Sequence, residues 1–264
     1  MQTLTVTVIQ ADLAWEDKAA NRHTLEQKII NNPEHTELVV LPEMFSTGFS
    51  MNTEGLSEEM NGETIAWMKR VAAEQKSVIT GSIIIKERES FFNRLVWMLP
   101  NGEYGTYDKR HLFAYGKEHE FYTAGNKRLI AQAKGWKIKL QVCYDLRFPV
   151  WARNRVNQEG QSEYDLLIYV ANWPAQRSHA WKTLLCARAI ENQCYVIGVN
   201  RTGNDGNNLA YSGNSMVIDP LGEILYHCAD EEDVFTITLS KDHLTEVRNA
   251  FPFLKDGDEF NLKM

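Results

Sequence analysis

Residues 137–148 read KIKLQVCYDLRF. Ile138, Leu140 and Val142 fall on one face of the segment, and Lys139, Gln141 and Cys143 on the other. That alternation is the period of a β-strand. It stops at Cys143, where a turn-like DLRFP follows. A cysteine therefore stands where a strand runs out into a turn. A buried free cysteine is ordinarily a small apolar packing residue. The alternative is a nucleophile, and the rest of the chain has to supply its partners.

Working outward, TLTVTVIQADL (residues 3–13) alternates like a half-buried strand. EDKAANRHTLEQKIINN carries Leu25, Ile29 and Ile30 at helical spacing. ELVVLPEM is a short apolar run ending in proline, a buried strand entering a loop. Residues 61–76 read as a second helix, with Ile65, Met68, Val71 and Ala72 on one face and Asn61 or Thr64 as its cap. SVITGSIIIKE and FFNRLVWMLPNGEYGTY are neighbouring strands, with a PNG turn inside the second segment. DLLIYVANW is a further buried strand. Residues 178–193 form a helix with Trp181, Leu184, Leu185 and Ala189 on one side. YVIGVN, NSMVIDP, GEILYH and DVFTITLS complete a strand-rich second half. Strands alternate with helices in places and run together in others. This pattern is that of a layered α/β fold with helices covering mostly buried sheets. No linker composition divides the chain, so one domain is expected over residues 1–264.

The 264 residues are 44% apolar and 24% charged, which suits a globular protein, and the net charge of −7 argues against nucleic acid or an anionic membrane as partner. No apolar run approaches the ~20 residues of a membrane span. The N-terminal MQTLTVTVIQ lacks the basic and apolar regions of a signal peptide. Cys143, Cys186, Cys194 and Cys228 are too scattered for a disulfide framework or a zinc site. Reduced thiols in a cytoplasm are expected, with Cys186 and Cys194 as packing residues. No dinucleotide, P-loop, zinc-protease or serine-hydrolase motif is present.

Three chemistry-bearing residues share one setting. Glu43 follows the strand ELVV, Lys109 follows a strand-like segment, and Cys143 follows KIKLQV. In open α/β sheets, sites gather at the carboxyl ends of strands. A thiol is mostly protonated at neutral pH and needs a base or a neighbour that lowers its pKa. A carboxylate can take that proton. A lysine ammonium favours the thiolate and can hold an oxyanion. Together, Glu43, Lys109 and Cys143 suit covalent acyl transfer. Singly, each has a plainer reading: a loop ion pair, a solvated cation and a packing thiol. The stretch between residues 108 and 128, DKRHLFAYGKEHEFYTAGNKR, has no period and is long for a plain connection, as functional loops are.

LPEMFSTGF, YDKRHLF and CYDLRFP, in this order, resemble the three catalytic motifs of the nitrilase, or carbon–nitrogen hydrolase, superfamily. The resemblance extends over nearly the whole chain. It implies a four-layer α-β-β-α sandwich that dimerises, with Glu43 as general base, Lys109 as oxyanion stabiliser and Cys143 as nucleophile. It also implies the Tyr144 N–H as second oxyanion donor and a second glutamate in the irregular loop. Glu118 matches the family spacing better, and Glu120 is its rival.

CYDLRFPVWARN, the segment from YVANWPAQ to NRTG, and YSGNSMVIDPLGE are most similar to a bacterial group in the omega-amidase branch. That resemblance implies hydrolysis of the terminal amide of 2-oxoglutaramate, and in some cases 2-oxosuccinamate, through a cysteine thioester, with no metal or cofactor. The substrate's far end then carries a carboxylate, which needs a cation. Arg147 and Arg177 are the candidates, with Trp173 and Phe45 as apolar walls. The plainer reading of Arg147 is an ion pair with Asp145, and that of Phe45 is core packing. Competing functions are an N-carbamoyl amine or amino-acid hydrolase, or a nitrilase, with the same triad. A non-catalytic dimeric binding protein and a redox-sensing thiol protein are more distant alternatives.

Overall fold

The computed structural model describes residues 2–262. Thirteen strands form two sheets. The first sheet draws on β1 (Thr3–Gln10), β2 (Leu38–Val40), β3 (Val78–Glu87), β4 (Ser90–Met98) and β5 (Tyr104–Asp108). The second draws on β6 (Ile130–Ala133), β7 (Trp136–Val142), β8 (Leu166–Ala171), β9 (Tyr195–Asn200), β10 (Thr202–Asn204), β11 (Ala210–Ile218) and β12 (Ile224–Ala229). β13 (Asp233–Ser240) returns to the first sheet and pairs antiparallel with β1. The orders are β13-β1-β2-β3-β4-β5 and β10-β11-β9-β8-β7-β6, with β12 against β11.

The parallel cores, β1-β2-β3 and β7-β8-β9, are covered on both faces. Leu4, Val6 and Val8 of β1 and Ile138, Leu140 and Val142 of β7 belong to one core between the sheets. Helices α1 (Lys18–Ile30) and α3 (Glu63–Gln75) cover the outer face of the first sheet, where Leu25, Ile29, Ile65 and Met68 meet Ile9 and Val39. The one-turn helix α2 (Thr53–Leu56) precedes α3. α6 (Ser178–Asn192) covers the second sheet through Trp181, Leu185 and Ala189. The layers are therefore helix, sheet, sheet, helix, the expected sandwich. Short helices α4 (Glu118–Phe121) and α5 (Pro149–Ala152) lie within connections, and α7 (Lys241–Ala250) follows β13.

Burial departs from the pattern in sequence at two places. Lys139 and Gln141 alternate with apolar residues, yet both are buried, because β7 is an interior strand. Ile30, grouped with Leu25 and Ile29, turns outward and is exposed. The start of α3 also differs. Gly62 is the cap, not Asn61 or Thr64, and the Glu58 carboxylate accepts the Thr64 N–H (2.7 Å) and hydroxyl (2.6 Å). An upstream acid thus serves the free N–H groups of the first turn.

Candidate active site

The ends of four strands meet at one place. β2 leads to Glu43, β5 to Lys109, β7 to Cys143 and β8 to Asn172. The first three are the residues expected to converge, and all four are buried. Two turns aim them. Met44, next to Glu43, has φ +43°, and Cys143 has φ +46°. Left-handed backbone is strained for residues other than glycine, and persists where the surroundings hold it. At Cys143 it breaks the strand and opens a short 3₁₀ turn, Cys143–Arg147.

Lys109 Nζ is held by two carboxylates. It donates to Glu43 Oε1 at 2.9 Å, and to Glu118 at 3.0 and 2.9 Å. Glu118 Oε2 also accepts the Phe113 N–H at 2.6 Å. Glu120, its rival, is exposed and bonds to none of these groups. Asn93 Nδ2 bridges the two glutamates, at 2.8 Å from Glu43 and 3.2 Å from Glu118. The Asn172 N–H donates to Glu43 Oε2 at 2.7 Å. The Cys143 thiol faces the Asn172 carbonyl at 3.9 Å, and the Glu43 carboxylate lies beside it.

The electrostatics follow from burial and charge. Burial first, and then the Glu43 charge, push the Cys143 thiol well above its ordinary pKa, while Lys109 opposes them. The arrangement therefore favours the protonated thiol at Cys143. Burial alone would lower the Lys109 pKa, but Glu118, Glu43 and Cys143 outweigh it and keep the ammonium charged. Burial raises Glu118 against the pull of Lys109. The Tyr144 N–H sits in the first turn of the 3₁₀ segment, where leading N–H groups have no partner within the helix.

The cluster opens on a cavity of about 620 Å³. Tyr144, Arg147, Trp173 and Arg177 line it, as do Phe49 and Phe113. The Arg147 guanidinium stacks over Trp173 at 4.9 Å, and that of Arg177 over Phe113 at 5.3 Å. Among the described residues neither guanidinium has a carboxylate or hydrogen-bond partner. The expected alternative, an Arg147–Asp145 pair, is not formed. Asp145 instead bonds to Tyr107, His111 and Val142.

Phe45 requires a correction. It does not line the cavity but is wholly buried against Leu41, Gly81 and Trp67 in the core under α3. The turn at Met44 sends the chain back, and the Phe45 N–H bonds to Ser82 O of β3 at 3.1 Å. Phe49 supplies the apolar wall, its ring 5.2 Å from Lys109 Nζ. Sequence reading missed Asn93, Asn172 and Phe49. Only Asn172, at the end of the apolar run in YVANW, carried the strand-end signal that identified the others. Among the described residues, no group of three or more His, Cys, Asp or Glu side chains is arranged to hold a metal ion.

The model of the carbon–nitrogen hydrolase family matches residues 5–249. The omega-amidase YafV of Escherichia coli K12 is 43% identical over 264 residues, covering 99% of this chain and 100% of that one. The 2-oxoglutaramate amidase of Bacillus subtilis is 31% identical over 255 residues, covering 96% of each. Among solved structures, a CN-hydrolase superfamily protein of Xanthomonas campestris, with an arsenic adduct in its active site, is 47% identical. It superposes with a TM-score of 0.96 over 100% of both chains. Family, fold and the ordering of the motifs agree: this chain belongs to the carbon–nitrogen hydrolase family, within the nitrilase superfamily.

Proposed function

We propose that this chain is an omega-amidase that hydrolyses the terminal amide of 2-oxoglutaramate, and of 2-oxosuccinamate, through a cysteine thioester. The observation that carries the reading is the buried Cys143–Glu43–Lys109 cluster opening on a cavity with two guanidiniums that are unpaired among the described residues. The first part suits attack on an amide, and the second suits a substrate that ends in a carboxylate. The named activities of the Escherichia and Bacillus relatives support the same substrate class.

In this mechanism Glu43 takes the Cys143 proton as sulfur attacks the amide carbon. Lys109 Nζ and the Tyr144 N–H hold the oxyanion. The tetrahedral intermediate collapses, the C–N bond breaks, and Glu43 returns the proton to the departing ammonia. A water molecule then attacks the thioester and gives its proton to Glu43. The C–S bond breaks, and the thiol is restored by that proton. Glu118 holds Lys109 in place. Arg147 or Arg177 takes the carboxylate, and Trp173 walls the carbon chain.

Ammonia release from 2-oxoglutaramate by wild type and by Cys143→Ala tests the reading. Release that survives in the variant would sink it. Turnover of a carbamoyl or nitrile substrate, but of no amide, would retain the triad and reject the branch.

The same reading takes residues 1–264 as one domain that acts as a homodimer in the cytoplasm. Ile190, Leu221 and Ile224 are exposed together where α6 meets the β11–β12 turn, an apolar surface suited to a second copy. Light scattering at micromolar concentration tests this, and a monomer would refute it.

A further inference from the structure

Asp145 follows Cys143 by two residues and is wholly buried. Its carboxylate accepts four hydrogen bonds. Oδ2 takes the Tyr107 hydroxyl at 2.7 Å and the Val142 N–H at 3.1 Å. Oδ1 takes the His111 backbone N–H at 2.9 Å and faces the His111 Nδ1 at 2.7 Å. Tyr107 and His111 flank Lys109, each two residues away, and Val142 leads directly into the strained Cys143.

These bonds join two segments that nothing else ties in the same way. Lys109 leaves the edge strand of the first sheet, and Cys143 leaves an interior strand of the second. Among the described residues, no backbone–backbone hydrogen bond links 105–113 with 140–148. Packing reinforces the junction: the His111 ring stacks on Phe148 at 3.8 Å, and Tyr107 accepts the Trp151 indole N–H at 2.9 Å.

We propose that Asp145 is a positioning residue that sets the distance between Lys109 and Cys143, by gripping both flanks of the lysine and the peptide that enters the nucleophile turn. The proposal rests on the reading of Lys109 as the group that stabilises negative charge at the reacting centre. A carboxylate suits the task because it has acceptor sites for all four donors at once. An amide of the same shape turns an N–H₂ toward one pair of donors and cannot.

The test uses Asp145→Asn and Tyr107→Phe, each with a thermal melt to check folding. Two quantities are read: kcat and KM for ammonia release, and the pH profile of Cys143 alkylation by iodoacetamide. For Asp145→Asn we expect a kcat loss of about 10²-fold with KM little changed, the scale of an ångström-sized misplacement. For Tyr107→Phe, which removes one of the four bonds, the expected loss is smaller and in the same direction. The alkylation profile carries a sign. Glu43, Lys109 and Glu118 face the thiol, Arg147 and Arg177 line the cavity beyond, and only the cations favour the thiolate. If Lys109 drifts from Cys143, the profile moves to higher pH. Direct loss of the Asp145 charge would move it to lower pH, because a negative charge is removed.

The alkaline shift should vanish when Asp145→Asn is made in a Lys109→Met background. An acid shift, an equal shift without Lys109, or an unchanged kcat would overturn the proposal. If Asp145→Asn does not fold, wild-type kcat and profile in Tyr107→Phe would overturn it. If wild type releases no ammonia from 2-oxoglutaramate, the substrate reading fails on its own, and the alkylation profiles still decide this one.

Discussion

Glu118 grips Lys109 with both carboxylate oxygens, at 3.0 and 2.9 Å, and is itself fixed by the Phe113 N–H. The lysine is thus aimed by a loop residue that no strand carries. Glu118→Gln keeps the shape but replaces one acceptor with a donor facing an ammonium. Buried charge pairs tolerate this poorly, because the lysine loses one of its two anionic partners and keeps only Glu43. We expect kcat to fall by about 10²-fold or more, the scale of losing a preorganised oxyanion group. Glu120→Gln, on the exposed side of the same turn, should remain close to wild type. Ammonia release by the two variants checks both claims, and equal losses would contradict the assignment.

Glu43, Lys109 and Cys143 were legible because each closes a strand whose pattern is readable, and strand ends are where such folds gather chemistry. The choice between Glu118 and Glu120 was not legible, because an irregular loop has no period to say which side chain turns inward. Asn93, Asn172 and Asp145 bond to partners far along the chain. Asn172 reaches Glu43, for example, 129 residues away. Asn93 lies inside a strand, where a polar residue looks the same whether it is paired or misplaced. Of the two readings open for Phe45, cavity wall and core packing, the second holds, because the left-handed Met44 between Glu43 and Phe45 reverses the chain.

Arg147 presents to the cavity a guanidinium that has no ion-pair partner among the described residues and lies over Trp173. If it receives the substrate carboxylate, Arg147→Gln should raise KM for 2-oxoglutaramate by about 10- to 100-fold, since a charge-assisted hydrogen bond contributes roughly 1.5–3 kcal/mol. A neutral amide of similar length should lose much less. Steady-state kinetics on the two substrates give the comparison. Equal losses on both would assign Arg147 a structural role and shift attention to Arg177.

Phe45 belongs to the core, so its removal should affect stability and not substrate binding. Phe45→Ala is expected to cost about 3–5 kcal/mol, the usual range for a buried aromatic ring. KM should be unchanged in the fraction that stays folded. Trp173→Ala should cost stability too, because the ring is buried against Trp181, but should also raise KM, because it walls the cavity. Urea unfolding and KM, measured on both variants, separate the two roles. A raised KM in Phe45→Ala with full stability would restore Phe45 to the pocket.

Lys139 is buried on the α5 side of β7, with Nζ donating to Trp151 O at 2.9 Å and lying 5.2 Å from the Tyr164 ring centre. Burial, with the Arg128 charge adding to it, pushes its pKa down to about 7. In the unfolded chain a lysine titrates near ~10.4. Between these values the unfolded state binds more protons than the folded state, so this residue's contribution to stability rises with pH. The penalty is full below about pH 7 and relieved by about pH 10. Lys139→Met removes the titrating group and keeps a stem of similar shape. Thiols and phenols that are buried in the fold titrate in this range in the unfolded chain, so the informative quantity is the variant minus the wild type. That difference should favour the variant most at about pH 6 and shrink by roughly 1.4 kcal/mol per pH unit through the window. Urea midpoints at about pH 6 and about pH 9 measure it. A difference that does not change with pH would mean that Lys139 stays charged in the folded protein, held by its carbonyl and aromatic neighbours.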